Sequence, residues 1–241
     1  MPYLGGKSQA GTYQRIINLI PPHDVYIEPF LGGGAIARLK RPSRLSFGVD
    51  KGARAAAAPP GMTFVQGCGI EFLECFEFRG GEFVYCDPPY MHSTRKSRHR
   101  YPHEMTDADH RRLLRVIKAL PCPVMISGYP SALYAGELAS WRREDFRVLT
   151  RGHTWATEVL WFNYERPQLL HDLRYVGGNY RERLRIRRKI ERWRRRLGVM
   201  PQLERAALFA ALVDVMEPSA AAIATADVDA GVHTCARISQ R

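Results

Sequence analysis

The chain predicts an α/β fold: a mixed sheet of roughly seven strands with helices on both faces, followed by a C-terminal helical extension. Three observations predict it. Short apolar runs alternate with helical patterns over the first two thirds of the chain, as in a largely parallel sheet. A glycine cluster, Gly32-Gly33-Gly34, separates the first such run from the helix after it. Beyond residue 166 the strand pattern ends and two helical segments follow.

Residues 9–20 place Ile16, Ile17 and Ile20 at helical spacing and stop at Pro21-Pro22. Residues 25–27 read as a buried strand that runs into Glu28-Pro29-Phe30, with a helix over 35–39. Residues 46–49 form a second strand with Asp50 at its C-terminal end, and residues 53–58 a short helix stopped by Pro59-Pro60. Residues 63–66 give the third strand. Residues 83–86 give the fourth, which ends at Asp87-Pro88-Pro89-Tyr90. A helix spans 106–120, with Thr106 as N-cap, Asp109 three residues on, and a stripe of Leu113, Leu114, Ile117 and Leu120. Residues 124–127 are the fifth strand, and 146–149 with 159–162 complete the sheet as an antiparallel pair. Helices are predicted over 180–197 and 203–216. The division is thus a main domain over 1–166, a basic helical extension over 167–217, and an alanine-rich tail over 218–241 that reads as disordered.

The 241 residues suffice for one α/β domain with a full core. With no apolar run of about 18 residues, no membrane span is predicted. The N-terminus does not read as a signal peptide, so a cytoplasmic setting is the default. Cys68, Cys75, Cys86, Cys122 and Cys235 form no C-x-x-C pair, which predicts free thiols and no zinc site. The net charge of +12 favours a polyanionic partner, nucleic acid ahead of an anionic membrane surface. Much of that charge is local: residues 181–196 hold ten Arg or Lys against Glu182 and Glu191.

Asp87-Pro88-Pro89-Tyr90 is the strongest chemical signal, because it follows an apolar strand at the end where open α/β sheets bind ligands. An amine conjugated to a heteroaromatic ring is a poor nucleophile, its lone pair being delocalised. Hydrogen bonds from its two N–H groups to the Asp87 carboxylate and the Pro88 carbonyl would favour a more tetrahedral nitrogen. Pro88 and Pro89 stiffen the turn that aims that carbonyl. Tyr90 offers a ring for stacking. The glycines after Phe30 let a ligand approach the backbone closely. Their spacing is neither the dinucleotide G-x-G-x-x-G nor a P-loop. Asp50 stands where an acid can accept from ribose hydroxyls.

Pro2-Tyr3-Leu4-Gly5-Gly6-Lys7, the run from Glu28 to Gly34, and Asp87-Pro88-Pro89-Tyr90 occur in the order found in Dam-type (D12 class) DNA N6-adenine methyltransferases. The chain resembles most the compact forms of phages and prophages. Glu104-Met105-Thr106 with Asp109-His110, Ser127-Gly128-Tyr129, and Thr157-Glu158-Val159-Leu160-Trp161 are also similar to that group. The resemblance covers about residues 2–166. It implies a Rossmann-like class I methyltransferase fold and transfer of a methyl group from S-adenosylmethionine to N6 of a flipped-out adenine, without a metal. It places Tyr3, Gly6 and Lys7 beside cofactor and active site, and Glu28, Phe30, Gly32 and Gly34 around the methionine half of the cofactor. Asp50 would hold its ribose, and Asp87, Pro88 and Tyr90 the target base. The sequence departs from the family where Cys68 stands in the cofactor-binding position of the usual Asp after the third strand, which implies either weaker cofactor affinity or holding by Ile70 and Phe72. It also leaves too little chain before Asp87 for a separate recognition domain.

Target reading is therefore expected from the loop over 91–104, where Arg95, Lys96, Arg98 and Arg100 would meet phosphates or guanine. His99 and His103 lack a carboxylate cluster and predict no metal site. The basic helix carries a narrow stripe of Ile186, Ile190, Trp193 and Leu197, and reads as a clamp on the DNA backbone through Arg187, Arg188, Arg194 and Arg195. The partner expected is double-stranded DNA, with no membrane and a monomer or weak dimer as the working unit. Two alternatives stand beside this reading. One is methylation of another amine, adenine N6 in RNA or N4 of cytosine. The other is a nucleic-acid-binding homologue with weakened catalysis.

Overall fold

The computed structural model describes residues 7–9, 11–52, 58–95, 103–149 and 154–228, with side chains to residue 216 in the last helix. Seven strands form one sheet: β1 (Val25–Glu28), β2 (Leu45–Asp50), β3 (Thr63–Gln66), β4 (Glu82–Cys86), β5 (Val124–Gly128), β6 (Arg142–Leu149) and β7 (Trp155–Phe162). Their order is β3-β2-β1-β4-β5-β7-β6. Strands β1 to β5 pair in parallel, and β7 runs antiparallel to both β5 and β6. This is the mixed seven-stranded sheet that the apolar runs predict, including the antiparallel pair at its end.

The central strands β4 and β5 are buried along their whole length, as parallel strands covered on both faces must be. Side chains alternate across β4 and so divide the core in two. Phe83 and Tyr85 meet Ile16 and Ile17 of α1 (Thr12–Ile17) and Ile36 of α2 (Ala35–Leu39). Val84 and Cys86 meet Ile70 and Leu73 of α3 (Gly69–Cys75), Leu113, Leu114 and Ile117 of α4 (Asp107–Ala119), and Tyr134 of α5 (Ala132–Glu137). The predicted cap of α4 forms: Thr106 Oγ1 accepts from the Asp109 amide at 3.2 Å, and the Thr106 amide donates to Asp109 Oδ2 at 2.9 Å. Helix α1 is shorter than the sequence pattern, since Asn18 caps it before the prolines. The helix read over 53–58 lies almost wholly outside the described residues.

Two compact units follow from the contacts, Met1–Arg183 and Leu184–Arg241. Helix α6 (Tyr180–Gly198) supplies the start of the second, and α7 (Gln202–Val228) continues it. The sequence pattern ends α7 at residue 216, whereas the helix runs on to Val228. Its run Ala220-Ala221-Ala222 favours helix by intrinsic propensity, which periodicity does not register. Residues 229–241 of the expected tail lie outside the described residues. Among the described residues, no helix is long and apolar enough to cross a membrane.

Candidate active site

The strand order reverses between β1 and β4, and such a switch point opens a crevice at the C-terminal strand ends. Glu28 closes β1 there, and Asp87 follows β4. Between them lies a small pocket of about 30 Å³, lined by Lys7, Glu28, Phe30, Leu31, Gly32, Gly33, Gly34, Ala35, Ile36 and Asp87. Six predicted site residues are thus brought together: Lys7, Glu28, Phe30, Gly32, Gly34 and Asp87. Gly34, at φ 58°, is the left-handed N-cap of α2, a conformation that a side chain would strain. Asp50 supports this turn from behind, its Oδ2 accepting from the Gly32 amide and its Oδ1 from the Gly52 amide, both at 2.8 Å. In this structure it therefore shapes the glycine loop through one carboxylate oxygen and the turn after β2 through the other. Cys68 is the N-cap of α3 without a side-chain capping bond, and Ile70 is core, 3% exposed, so neither lines this pocket. Tyr3 and Gly6 lie outside the described residues.

Asp87 heads a buried polar network. Its Oδ1 accepts from Lys7 Nζ and from Ser127 Oγ, each at 2.8 Å. Lys7 Nζ also lies 3.2 Å from Glu158 Oε1 and donates to the Tyr90 hydroxyl, which in turn donates to Glu158 Oε1 at 2.6 Å. Tyr85 extends the network through Ser127, at 3.2 Å. Burial works against the Lys7 ammonium, yet the Asp87 and Glu158 carboxylates outweigh it and raise the pKa of Lys7. Burial also raises Asp87, with Glu158 adding and Lys7 opposing. At Glu28 burial lifts the pKa to about 8, against the bond from the Tyr26 hydroxyl.

Tyr90 is placed differently from the sequence expectation. It is 6% exposed, its ring meets Tyr129 edge-on at 4.6 Å, and its hydroxyl is tied to Glu158. In this conformation it is a wall of the site rather than an open stacking plate, because its polar end is anchored inward. Pro88 is buried and Pro89 half-buried beside it. Arg95 also turns inward: its side chain is 1% exposed and forks onto Glu104 at 2.6 and 3.0 Å. It therefore closes the base of the 91–104 loop, while Lys96, Arg98 and Arg100 lie outside the described residues. Arg187, Arg188, Arg194 and Arg195 are exposed on α6. Sequence reasoning assigned no role to Ser127 or Glu158. The available signal was a carboxylate at the head of the apolar run Val159-Leu160-Trp161-Phe162, since an acid entering a core strand needs buried partners.

The chemistry of the pocket lining suits a cationic group beside an apolar one. Two buried carboxyls, Glu28 and Asp87, have raised pKa values that a nearby positive charge would relieve. Phe30, Leu31 and Ile36 supply the apolar wall.

A doubly wound sheet of this strand order, with a glycine-turned acidic pocket at its switch point, is the Rossmann-like fold of the class I methyltransferases. Within that class, residues 72–147 match the model of the D12 class N6 adenine-specific DNA methyltransferases, in agreement with the motif resemblance. That stretch holds Asp87-Pro88-Pro89-Tyr90. Among solved structures the chain is similar to precorrin 8w decarboxylase of Methanobacterium thermoautotrophicum, with 11% identity over 67% of this chain and 94% of that chain, at a TM-score of 0.47. It is similar to the 23S rRNA methyltransferase ErmE, with 14% identity, coverage of 81% and 91%, and a TM-score of 0.46. A Streptococcus thermophilus rRNA methylase aligns with 10% identity, coverage of 65% and 95%, and a TM-score of 0.41. No curated protein matches the chain.

Proposed function

We propose that the protein methylates the exocyclic N6 of adenine in double-stranded DNA. The observation that carries this reading is the carboxylate of Asp87, held at the edge of the acidic pocket and followed by two prolines. Lys7 and Ser127 both bind Oδ1 of Asp87, an arrangement that suits Oδ2 to receive an N–H of an aromatic amine. The Pro88 carbonyl is the second acceptor, and the proline pair limits its motion. S-adenosylmethionine, held by Glu28, Phe30 and the glycine turn, would supply an electrophilic methyl carbon. The chain's task is then alignment of the amine with that carbon, and orientation of this kind is worth up to about 7–11 kcal/mol. Transfer leaves the nitrogen with one proton too many, and burial suits Asp87 to receive it. An adenine inside a duplex must leave the stack to reach such a site. The net charge of +12 supports a nucleic-acid substrate over a free metabolite.

Methylation-sensitive sequencing of DNA from cells expressing the protein should report N6-methyladenine in one sequence context. Asp87→Ala should lower the transfer rate by about 100- to 10,000-fold. The fold should survive, because Lys7 keeps Glu158 as its ion partner. An active Asp87→Ala variant, or DNA without the modified base, would contradict the assignment.

A further inference from the structure

Glu158 lies on β7 beside the methyl-transfer site without entering the pocket lining, and the mechanism above gives it no task. It is 6% exposed. Its Oε1 receives the Tyr90 hydroxyl at 2.6 Å and faces Lys7 Nζ at 3.2 Å, while its Oε2 is buried with no hydrogen-bond partner among the described residues. A carboxylate so placed is expensive to bury, and removal of its partners would leave it unpaired. It is retained within a network that ends on the Asp87 oxygen, through Lys7, and on the Tyr90 ring.

We propose that Glu158 is a positioning residue for methyl transfer: it fixes the Lys7 ammonium and the Tyr90 hydroxyl, and through them sets where the Asp87 carboxylate points and how readily it takes a proton. The proposal rests on the reading of the site as an amine methyltransferase. Three elements converge on this point: the segment before α1 gives Lys7, the turn after β4 gives Asp87 and Tyr90, and β7 gives Glu158. Lys7 sits between the two carboxylates and cannot move toward one without leaving the other. The charged and titratable groups facing Asp87 are Lys7, Glu158, Glu28, Tyr85, Cys86, Tyr90 and Tyr134; those facing Glu158 are Lys7, Asp87, Tyr85 and Tyr90. Loss of the Glu158 charge removes a repulsion that raises Asp87 and an attraction that raises Lys7. Both therefore titrate at lower pH.

The test uses the full chain, labelled S-adenosylmethionine and unmethylated genomic DNA. Wild-type transfer to adenine is the control on which the functional reading itself stands or falls. Given that activity, Glu158→Gln should lower kcat by about 10- to 100-fold, as a small misplacement in a reacting site does. The KM for S-adenosylmethionine should change less than about threefold, because Glu158 does not line the pocket. The acid limb of the kcat profile should move to lower pH. Glu158→Asp keeps the charge and should keep the limb near its wild-type position while still losing rate. A merely structural role would lower the amount of folded enzyme and leave the limb in place, and that result overturns the proposal. Should Glu158→Gln not fold, Tyr90→Phe decides: it keeps the ring and deletes one anchor of Glu158. A fall in kcat at unchanged cofactor KM supports the proposal, and wild-type kcat overturns it.

Discussion

Glu28 ends β1 inside the pocket with its pKa lifted to about 8, first by burial and further by the nearby Asp87. Burial thus favours its protonated form in the free protein near neutral pH. A sulfonium ligand reverses that preference, because the charged carboxylate then faces an opposite charge. Cofactor binding should therefore release a proton at neutral pH, with affinity rising toward about pH 8 and levelling off beyond it. Calorimetry in buffers of different ionisation enthalpy reads this directly; affinity that is flat between about pH 6 and about pH 8.5 would exclude it. The same shift makes Glu28 a liability for the free fold. Its folded-state pKa exceeds the ordinary value of 4.5, so the folded state holds the extra proton between the two values. Its own contribution to stability is full below about pH 4.5 and is lost as pH rises through about 8. Glu28→Gln should accordingly raise the melting temperature at pH 8 by about 2–4 °C for each kcal/mol relieved, while weakening the cofactor and abolishing its proton release.

Element packing ties α3 to the wall of the pocket at Gly69, the first residue of α3. A Cβ there would lie 1.9 Å from the carbonyl oxygen of Pro29, which is backbone and cannot turn aside. Pro29 stands between Glu28 and Phe30 of the pocket, so α3 and the cofactor wall share one contact. Gly69→Ala should cost about 1–3 kcal/mol and also weaken cofactor binding; a variant with wild-type melting temperature and affinity would show that the contact is not needed. The sequence displayed the elements of this kind that are uniformly apolar. Strands β4 and β5, the glycine turn and the cap of α4 all carry local signals strong enough to read. Strand β6 begins with Arg142-Arg143-Glu144-Asp145, an edge sequence whose extended shape comes from pairing with β7 and not from its own pattern. Only its apolar half, residues 146–149, was legible. The catalytic turn was legible because its chemistry is contiguous. The Lys7–Asp87–Tyr90–Glu158 network was not, since it joins residues up to 151 positions apart that only the folded sheet brings together.

At the scale of the whole chain, chemistry and charge occupy different units. The pocket and its polar network belong to Met1–Arg183, and most of α6 belongs to Leu184–Arg241. The ten basic residues over 181–196 account for much of the net charge of +12, and all but the half-buried Arg183 are exposed: Arg187 has a loose partner in Glu191 at 3.8 Å, and Arg196 lies 5.8 Å from the Trp193 ring centroid. Such pairs are worth little at the surface, so the helix remains available to phosphates. Each phosphate neutralised releases condensed counterions and contributes a slope of about −0.9 to the dependence of log affinity on log salt. Replacing Arg187, Arg188, Arg194 and Arg195 together by Glu should flatten that slope by up to about 3.6 and weaken DNA binding most strongly at low salt. The loss should appear in KM for DNA with kcat nearly unchanged, because no group of the transfer site is altered. The measurement is a salt titration of DNA affinity for the parent and the fourfold variant, followed by steady-state kinetics at fixed salt. Equal slopes would place the DNA contacts elsewhere and leave α6 as a solvated helix. A lost kcat at an unchanged slope would mean that this helix supports the catalytic unit rather than the nucleic acid.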